Sequence, residues 1–271
     1  ALRGSACTRW GFNSSTRGQK SLFLSPARCP ANSPQRCARS TGNTIFHRRR
    51  LTLPPHFKEI QVNNVKELQT IEETLKYLQF DNWEQSEPGL SRSYELLGLL
   101  GNPQEKLKFV HIAGTNGKGS TAAMLASVLQ SAGYRTGLYT SPHLLRFHER
   151  MRVDGEEIDD KSLIALTNTV RAAAEGMSEM PTGFEIMTAI AFLYFVQEKC
   201  DIVALEVGLG GRMDSTNVIP APEVCVVTNI GLEHTAILGD TLEKIATEKC
   251  GIIKHGANAV LFGQTAGVEA V

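Results

Sequence analysis

Between an apolar run, Phe109-Val110-His111-Ile112-Ala113, and a helical pattern, Met124-Leu125-Ala126-Ser127-Val128-Leu129, lies Gly114-Thr115-Asn116-Gly117-Lys118-Gly119-Ser120-Thr121. Strand, glycine-rich turn and helix together form a cradle for phosphate. The glycines bring backbone N–H groups close to the oxygens, and the helix N-terminus adds its positive dipole end. Lys118 is placed to reach the β/γ-phosphates, and Ser120 or Thr121 offers a hydroxyl to Mg²⁺. Gly119 stands between the lysine and the hydroxyl, a departure from the G-x-x-x-x-G-K-[ST] pattern. The bland alternative is an ordinary glycine-rich βα turn.

The signs of charge are segregated along the chain. Of 28 basic residues, 11 fall in residues 1–58, which hold no acid, leaving 17 basic and 28 acidic residues in 59–271. The body is therefore mildly acidic, without the basic stripe that nucleic-acid binding requires. The arginine- and serine-rich start, free of Asp and Glu and without sustained periodicity, has the composition of an organellar transit peptide. Residues 1–57 are expected to be a disordered leader, directed to the mitochondrion, with the plastid or cytosol as alternatives. A disordered tail of other purpose is the plain reading. No apolar run approaches the roughly 18 residues that span a bilayer, and no membrane partner is expected. A chain of 271 residues can bury a real core. Cys200, Cys225 and Cys250 show no metal-ligand spacing and read as reduced.

After Pro54-Pro55, Leu68, Ile71, Leu75 and Leu78 recur at helical spacing. Pro88-Gly89 interrupts, Leu90–Leu100 reads as a second helix, and Gly101-Asn102-Pro103 stops it. Beyond the phosphate loop, Thr136–Thr140 is a short strand ending at the polar Ser141-Pro142-His143. Met151–Val153 and Glu156–Ile158 form a hairpin around Asp154-Gly155. Helices are expected over Leu163–Ala174, Phe184–Gln197 (packed on both sides) and Thr241–Lys249. Asp201–Val207, Val224–Val227 and Ala259–Phe262 read as strands, with a polar loop over Thr228–Gly239. This alternation predicts an α/β fold with a doubly wound, mostly parallel sheet, whose ligands bind at the carboxyl ends of the strands.

Glu206 closes an otherwise apolar strand. A carboxylate there is costly unless it meets a cation, and a Mg²⁺ held by phosphates would serve. A solvated strand-end acid is the competing reading. His234 and Lys249 do not rise above ordinary explanations by residue type alone; Lys249 at a helix C-terminus is favoured by the dipole.

Four stretches together carry a family likeness: His111–Ser120 (HIAGTNGKGS), Tyr139–Arg150 (YTSPHLLRFHER), Leu205–Asn217 (LEVGLGGRMDSTN) and Asn229–Lys254 (NIGLEHTAILGDTLEKIATEKCGIIK). In this order they resemble the dihydrofolate synthase/folylpolyglutamate synthase family, within the wider class of ATP-dependent Mur-type ligases. The resemblance implies an ATP-binding ligase domain of the Mur central-domain type over residues 58–271, the family's C-terminal domain being absent from this chain. It implies amide ligation through an acyl phosphate, with ATP, L-glutamate and a pteridine acceptor as small-molecule substrates and a monomer as the favoured state. ATP would lie on Gly114, Thr115, Asn116, Gly117, Lys118, Gly119 and Ser120. Mg²⁺ would be held by Ser141, Glu206 and His234, with a monovalent cation as a possible companion. Lys249 matches the lysine that the family carbamylates, which makes Lys118, Glu206, His234 and Lys249 the catalytic set. Thr182, Gly183, Phe184 and Glu185, with Met213, Asp214 and Ser215, match the pterin-binding positions.

Gly211-Arg212-Met213-Asp214 and Phe184-Glu185 are closer to bacterial bifunctional enzymes and plant-type dihydrofolate synthases than to eukaryotic folylpolyglutamate synthases. That favours dihydropteroate as acceptor over tetrahydrofolate. A non-catalytic nucleotide-binding module is the alternative from a different class.

Overall fold

The computed structural model describes residues 8–9, 25–26, 67–79 and 89–271. The leader expected over 1–57 lies almost wholly outside them. The chain divides into two units, residues 1–52 and 53–271. In the first, β1 (Thr8–Arg9) pairs antiparallel with β2 (Ser25–Pro26).

The second unit is built on a seven-stranded sheet. Its strands are β3 (Phe109–Ala113), β4 (Thr136–Tyr139), β5 (Met151–Val153), β6 (Glu156–Glu157), β7 (Ile202–Glu206), β8 (Val224–Val227) and β9 (Asn258–Leu261). The spatial order is β6-β5-β4-β7-β3-β8-β9. In that order all neighbours from β4 to β9 run parallel, while β5 pairs antiparallel with both β4 and β6 at one edge. β3 lies between β7 and β8, so the turn that follows it opens among the carboxyl ends of parallel strands, where such sheets bind ligands.

The helices are α1 (Ile71–Leu78), α2 (Ser91–Leu99), α3 (Lys118–Ser131), α4 (Asp160–Ala174), α5 (Gly183–Gln197), α6 (Thr235–Leu238), α7 (Leu242–Cys250) and α8 (Ala266–Glu269). The sheet's alternation distributes them. Val110, Ile112, Leu138 and Ala204 face α3 through Ala122, Leu125, Ala126 and Leu129. Phe109, Tyr139, Val203 and Leu205 point the other way, into the core made with α2, α4 and α5. Ala113, Cys225 and Val227 continue that side onto Ile245 and Ala246 of α7. α5 is apolar nearly all round, and Ile186 through Phe195 are all buried, as its sequence predicts for a helix covered on both sides.

The ends of the helices follow local chemistry. Thr182 caps α5 in a reciprocal box, accepting from Glu185 N while the Glu185 carboxylate accepts from Thr182 N. Asp159 caps α4 by accepting from Lys161 N and Ser162 N, which starts that helix three residues before the expected Leu163. The loop expected over Thr228–Gly239 contains the single turn of α6.

Candidate active site

Gly117, in the left-handed region at φ 82°, turns the chain out of β3 so that Lys118 opens α3. The loop is tied down from the β8 side. Thr115 N donates to Asn229 O at 2.8 Å and Asn116 N to Asn229 Oδ1 at 2.9 Å, while Thr228 Oγ1 donates to Asn116 O at 2.8 Å. These bonds rigidify the turn, and they commit the amides of Thr115 and Asn116 to protein partners. The Lys118 ammonium donates to Gly114 O at 3.0 Å and to Thr115 O at 3.2 Å, which folds it over its own loop.

Glu206 closes β7 beneath this helix and is only 5% exposed. Its Oε2 accepts from Ser141 N at 3.1 Å. Burial raises its pKa; hydrogen bonds from the Ser141 and Gly119 amides and the charge of Lys118 pull the other way. The glycine that breaks the phosphate-loop pattern has its explanation here. A Cβ at residue 119 would stand 3.2 Å from Glu206 Oε2 and 3.5 Å from Oε1, so the missing side chain lets the carboxylate approach the helix N-terminus.

Lys249, in the last turn of α7, is 1% exposed. The helix brings it to the phosphate loop, where Nζ donates to Gly114 O at 2.8 Å. Its ion-pair partner is Glu233, a residue that sequence reasoning passed over in favour of the neighbouring His234. Burial lowers the Lys249 pKa, the Glu233 carboxylate opposes this, and the charge of Lys118 adds to the lowering. His234 itself is exposed, with a left-handed backbone at φ 45° that opens α6. Among the described residues it makes no hydrogen bond to Ser141 or Glu206, and no three His, Cys, Asp or Glu side chains converge to hold a metal ion.

Beyond Ser141 the site widens into a cleft of about 1140 Å³, lined among others by Pro142, Phe184, Gly208, Met213 and Asp214. All the residues matched to a pterin site border it, from Thr182 to Glu185 and from Met213 to Ser215. The Phe184 ring packs so closely on residue 208 that a Cβ there would fall 2.5 Å from its Cζ, and its centroid is 6.2 Å from that of Tyr139. Met213 is half exposed, whereas Ser215 Oγ bonds Thr188 Oγ1 at 3.0 Å.

Two carboxylates of the cleft, Glu185 and Asp214, carry heavy internal commitments. Glu185 accepts from Arg92 Nε at 3.1 Å, Ser93 Oγ at 3.1 Å and Thr182 N at 2.7 Å. Asp214, 6% exposed, accepts from Leu209 N at 2.9 Å on one oxygen, and from Thr216 N at 2.9 Å and Thr216 Oγ1 at 2.5 Å on the other. Burial raises the Asp214 pKa against these donors. Behind it, His111 Nε2 lies 2.9 Å from Thr216 Oγ1, linking the phosphate-loop strand to the cleft. Neither Arg92 nor His111 stood out in the sequence, because nothing local reveals a partner some ninety or a hundred residues away.

The Mur ligase middle-domain model matches residues 112–265, more than half of the chain. The chain belongs to the Mur ligase middle-domain family. Over 174 residues this Mur ligase domain is 51% identical to the dihydrofolate synthase/folylpolyglutamate synthase of Bacillus subtilis, covering 62% of this chain and 40% of that protein. It is 41% identical over 179 residues to the mitochondrial folylpolyglutamate synthase of Homo sapiens, covering 64% of this chain and 30% of that one. Among solved structures, E. coli FolC in complex with DHPP and ADP is similar with a TM-score of 0.68 and 38% identity, over 73% of this chain and 47% of that one. The chain thus spans less than half the length of each of these relatives.

Proposed function

We propose that this Mur ligase domain binds ATP for a ligase that joins L-glutamate to dihydropteroate and so yields dihydrofolate. The observation that carries the reading is the continuity of two sites. Lys118, Glu206 and Lys249 gather at the phosphate loop, and Ser141 leads directly into a cleft floored by Phe184 and Asp214. The E. coli relative, solved in complex with DHPP and ADP, supports a nucleotide and a small-molecule acceptor side by side.

In this reading the acceptor carboxylate attacks the γ-phosphorus of ATP, giving an acyl phosphate and ADP. The glutamate amine then attacks the acyl carbon, loses a proton, and inorganic phosphate leaves with the C–O bond electrons. Lys118, released from the carbonyls of its own loop, offsets the charge on the transferring phosphoryl group. Phe184 stacks on the pteridine ring. Asp214, already oriented by Leu209 and Thr216, directs its remaining acceptor capacity to the ring's amino group.

The buried Glu206 carboxylate has only N–H donors as partners and forms no ion pair among the described residues, so it fits a hard cation. Glu206, the Ser141 hydroxyl and His234 would hold Mg²⁺, and the ion would draw off charge from the transferring phosphoryl group. Lys249, whose pKa burial lowers, fits carbamylation: once deprotonated, its amine adds to CO₂ and releases a proton, which would convert a cation into an anion beside the metal site.

The test is ligation by the full-length protein given ATP, labelled glutamate and either dihydropteroate or tetrahydrofolate. Labelled dihydrofolate from the first acceptor is expected. Turnover of tetrahydrofolate alone would assign the polyglutamylating activity, which the double name of the B. subtilis relative supports as the second reading. Nucleotide binding without ligation of either acceptor would identify a non-catalytic module. The acid-free leader supports mitochondrial import, and a fluorescent fusion of residues 1–57 that stayed cytosolic would refute it.

A further inference from the structure

Three arginines, Arg92, Arg150 and Arg212, line the cleft. Two are neutralised in place. Arg92 pairs with Glu179 at 2.7 Å and Glu185 at 3.1 Å, and Arg212 pairs with Glu248. Arg150 forms no ion pair with a carboxylate among the described residues. Its Nε donates to His143 Nδ1 at 3.0 Å, and its guanidinium lies 5.6 Å from the centroid of the Phe147 ring. Both contacts fix the plane of the fork, and neither cancels its charge.

The backbone that carries Arg150 is also set in advance. The Glu149 carboxylate gathers the amides of Leu144, Leu145 and Arg146 at 2.9, 3.1 and 2.9 Å. Thr140 N donates to Arg150 O at 3.0 Å, which holds Arg150 across from the residue before Ser141. Burial disfavours the charged guanidinium, yet arginine does not give up its proton in proteins. A half-buried, pre-oriented cation with no acid of its own is completed by an oxyanion, and the planar fork suits a carboxylate best.

We propose that Arg150 binds a carboxylate of the pteridine acceptor within this cleft. The assignment rests on the reading that the cleft takes such an acceptor. Phe184 and Asp214 hold the ring, and Arg150 receives the anionic arm. It thereby measures the length from ring to carboxylate and makes an acceptor without that carboxylate a poor ligand. The carboxylate is either the benzoyl group that reacts or the α-carboxylate of a glutamyl arm.

Equilibrium binding to the full-length protein tests this with dihydropteroate, tetrahydrofolate and a decarboxylated dihydropteroate that keeps the ring and aniline. The wild type should bind carboxylated acceptors at least tenfold more tightly than the decarboxylated analogue. Arg150→Met, which keeps the stem packed on Phe147, should bind them alike, and Arg150→Lys should recover part of the difference. In turnover, the acceptor KM should rise tenfold or more in Arg150→Met while the ATP KM stays within twofold. Loss with dihydropteroate alone assigns the benzoyl carboxylate, which tetrahydrofolate holds as an amide; loss with tetrahydrofolate alone assigns the glutamyl arm; loss with both assigns one fork to either group. If Arg150→Met misfolds, Arg150→Lys with a wild-type melting temperature carries the same comparison. A full preference for carboxylated acceptors in either folded variant overturns the proposal, as does a wild type indifferent to the carboxylate. Failure of the wild type to bind any of the three, with ATP still bound, would instead overturn the reading of the cleft.

Discussion

Lys118 and Lys249 both donate to the carbonyl oxygen of Gly114, which sets two ammonium groups around one acceptor at the head of the phosphate loop. Among the described residues only Lys249 of the two has a carboxylate partner, Glu233. Lys118 is therefore the charge free to move onto phosphate. Lys118→Ala should lower kcat for ATP turnover by about 10²-fold or more, with an unchanged melting temperature; near-normal kcat would remove it from the phosphate site. His111 is the opposite kind of group, a buried base that stays neutral. Thr216 Oγ1 donates to Asp214, so His111 Nε2 donates to Thr216, and Nδ1 is left without a partner. Burial first, and the charge of Lys254 second, push the His111 pKa down from 6.5 to about 3. The unfolded chain takes up this proton as pH falls through the usual histidine range, whereas the folded chain does not until near 3. Stability is therefore complete above the unfolded value and is lost progressively as pH falls toward 3, at up to about 1.4 kcal/mol per pH unit. His111→Gln keeps a donor for Thr216 without titrating. Denaturant melts between about pH 6 and pH 4 should show a shallower loss in this variant, by about one proton; parallel curves would exonerate the ring.

α5 is the element on which the acceptor cleft rests. Its first turn supplies Phe184 and the Glu185 carboxylate, and its interior supplies Phe192, fully buried and edge-on to Phe109 with centroids 5.6 Å apart. Phe192→Ala should destabilise the domain by about 3–5 kcal/mol, because two packed layers cannot both collapse into the space; a loss under about 1 kcal/mol would mean that the core relaxes there. The helix was plain in the sequence as the apolar run Phe184–Gln197, whereas its Thr182–Glu185 cap emerged only with the structure. Plain too were β3, β7 and β8, whose β-branched runs lie between turns. What the sequence withheld was pairing at a distance. Arg92 meets Glu185 across 93 residues and Lys249 meets Glu233 across 16, and neither separation has a period that marks it. The single turns α6 and α8 were missed because four residues carry too few positions to establish a helical repeat. Gly119 looked like a flaw in a motif until Glu206 was seen against it.

At the scale of the whole domain, the end of α7 is where the loops of the site meet. Lys249 reaches the phosphate loop and Glu233, Glu248 pairs with Arg212, and Gly251 O accepts from Asn217, so one turn of helix touches three separate segments. Lys254, just beyond, donates to Asn217 O and Ile219 O and secures the far side of the cleft loop. A change at Lys249 is therefore expected to act on chemistry and on architecture together, and the two must be separated. Lys249→Ala leaves Glu233 without its cation in a largely buried position, which costs stability whatever the lysine does in turnover. Lys249→Met, which fills the space, carries the same loss of charge and serves as the packing control. If the carbamate is the working form, both variants lose activity. Short carboxylic acids should then restore part of it in Lys249→Ala, where the vacated space admits them, and not in Lys249→Met. Bicarbonate should rescue neither, because no amine remains to add to CO₂. If instead the ammonium serves only to pair with Glu233, Glu233→Gln combined with Lys249→Met should restore activity by removing both charges at once. Recovery in that double variant, without any response of Lys249→Ala to carboxylic acids, would show that the lysine is a structural cation and not a carbamate.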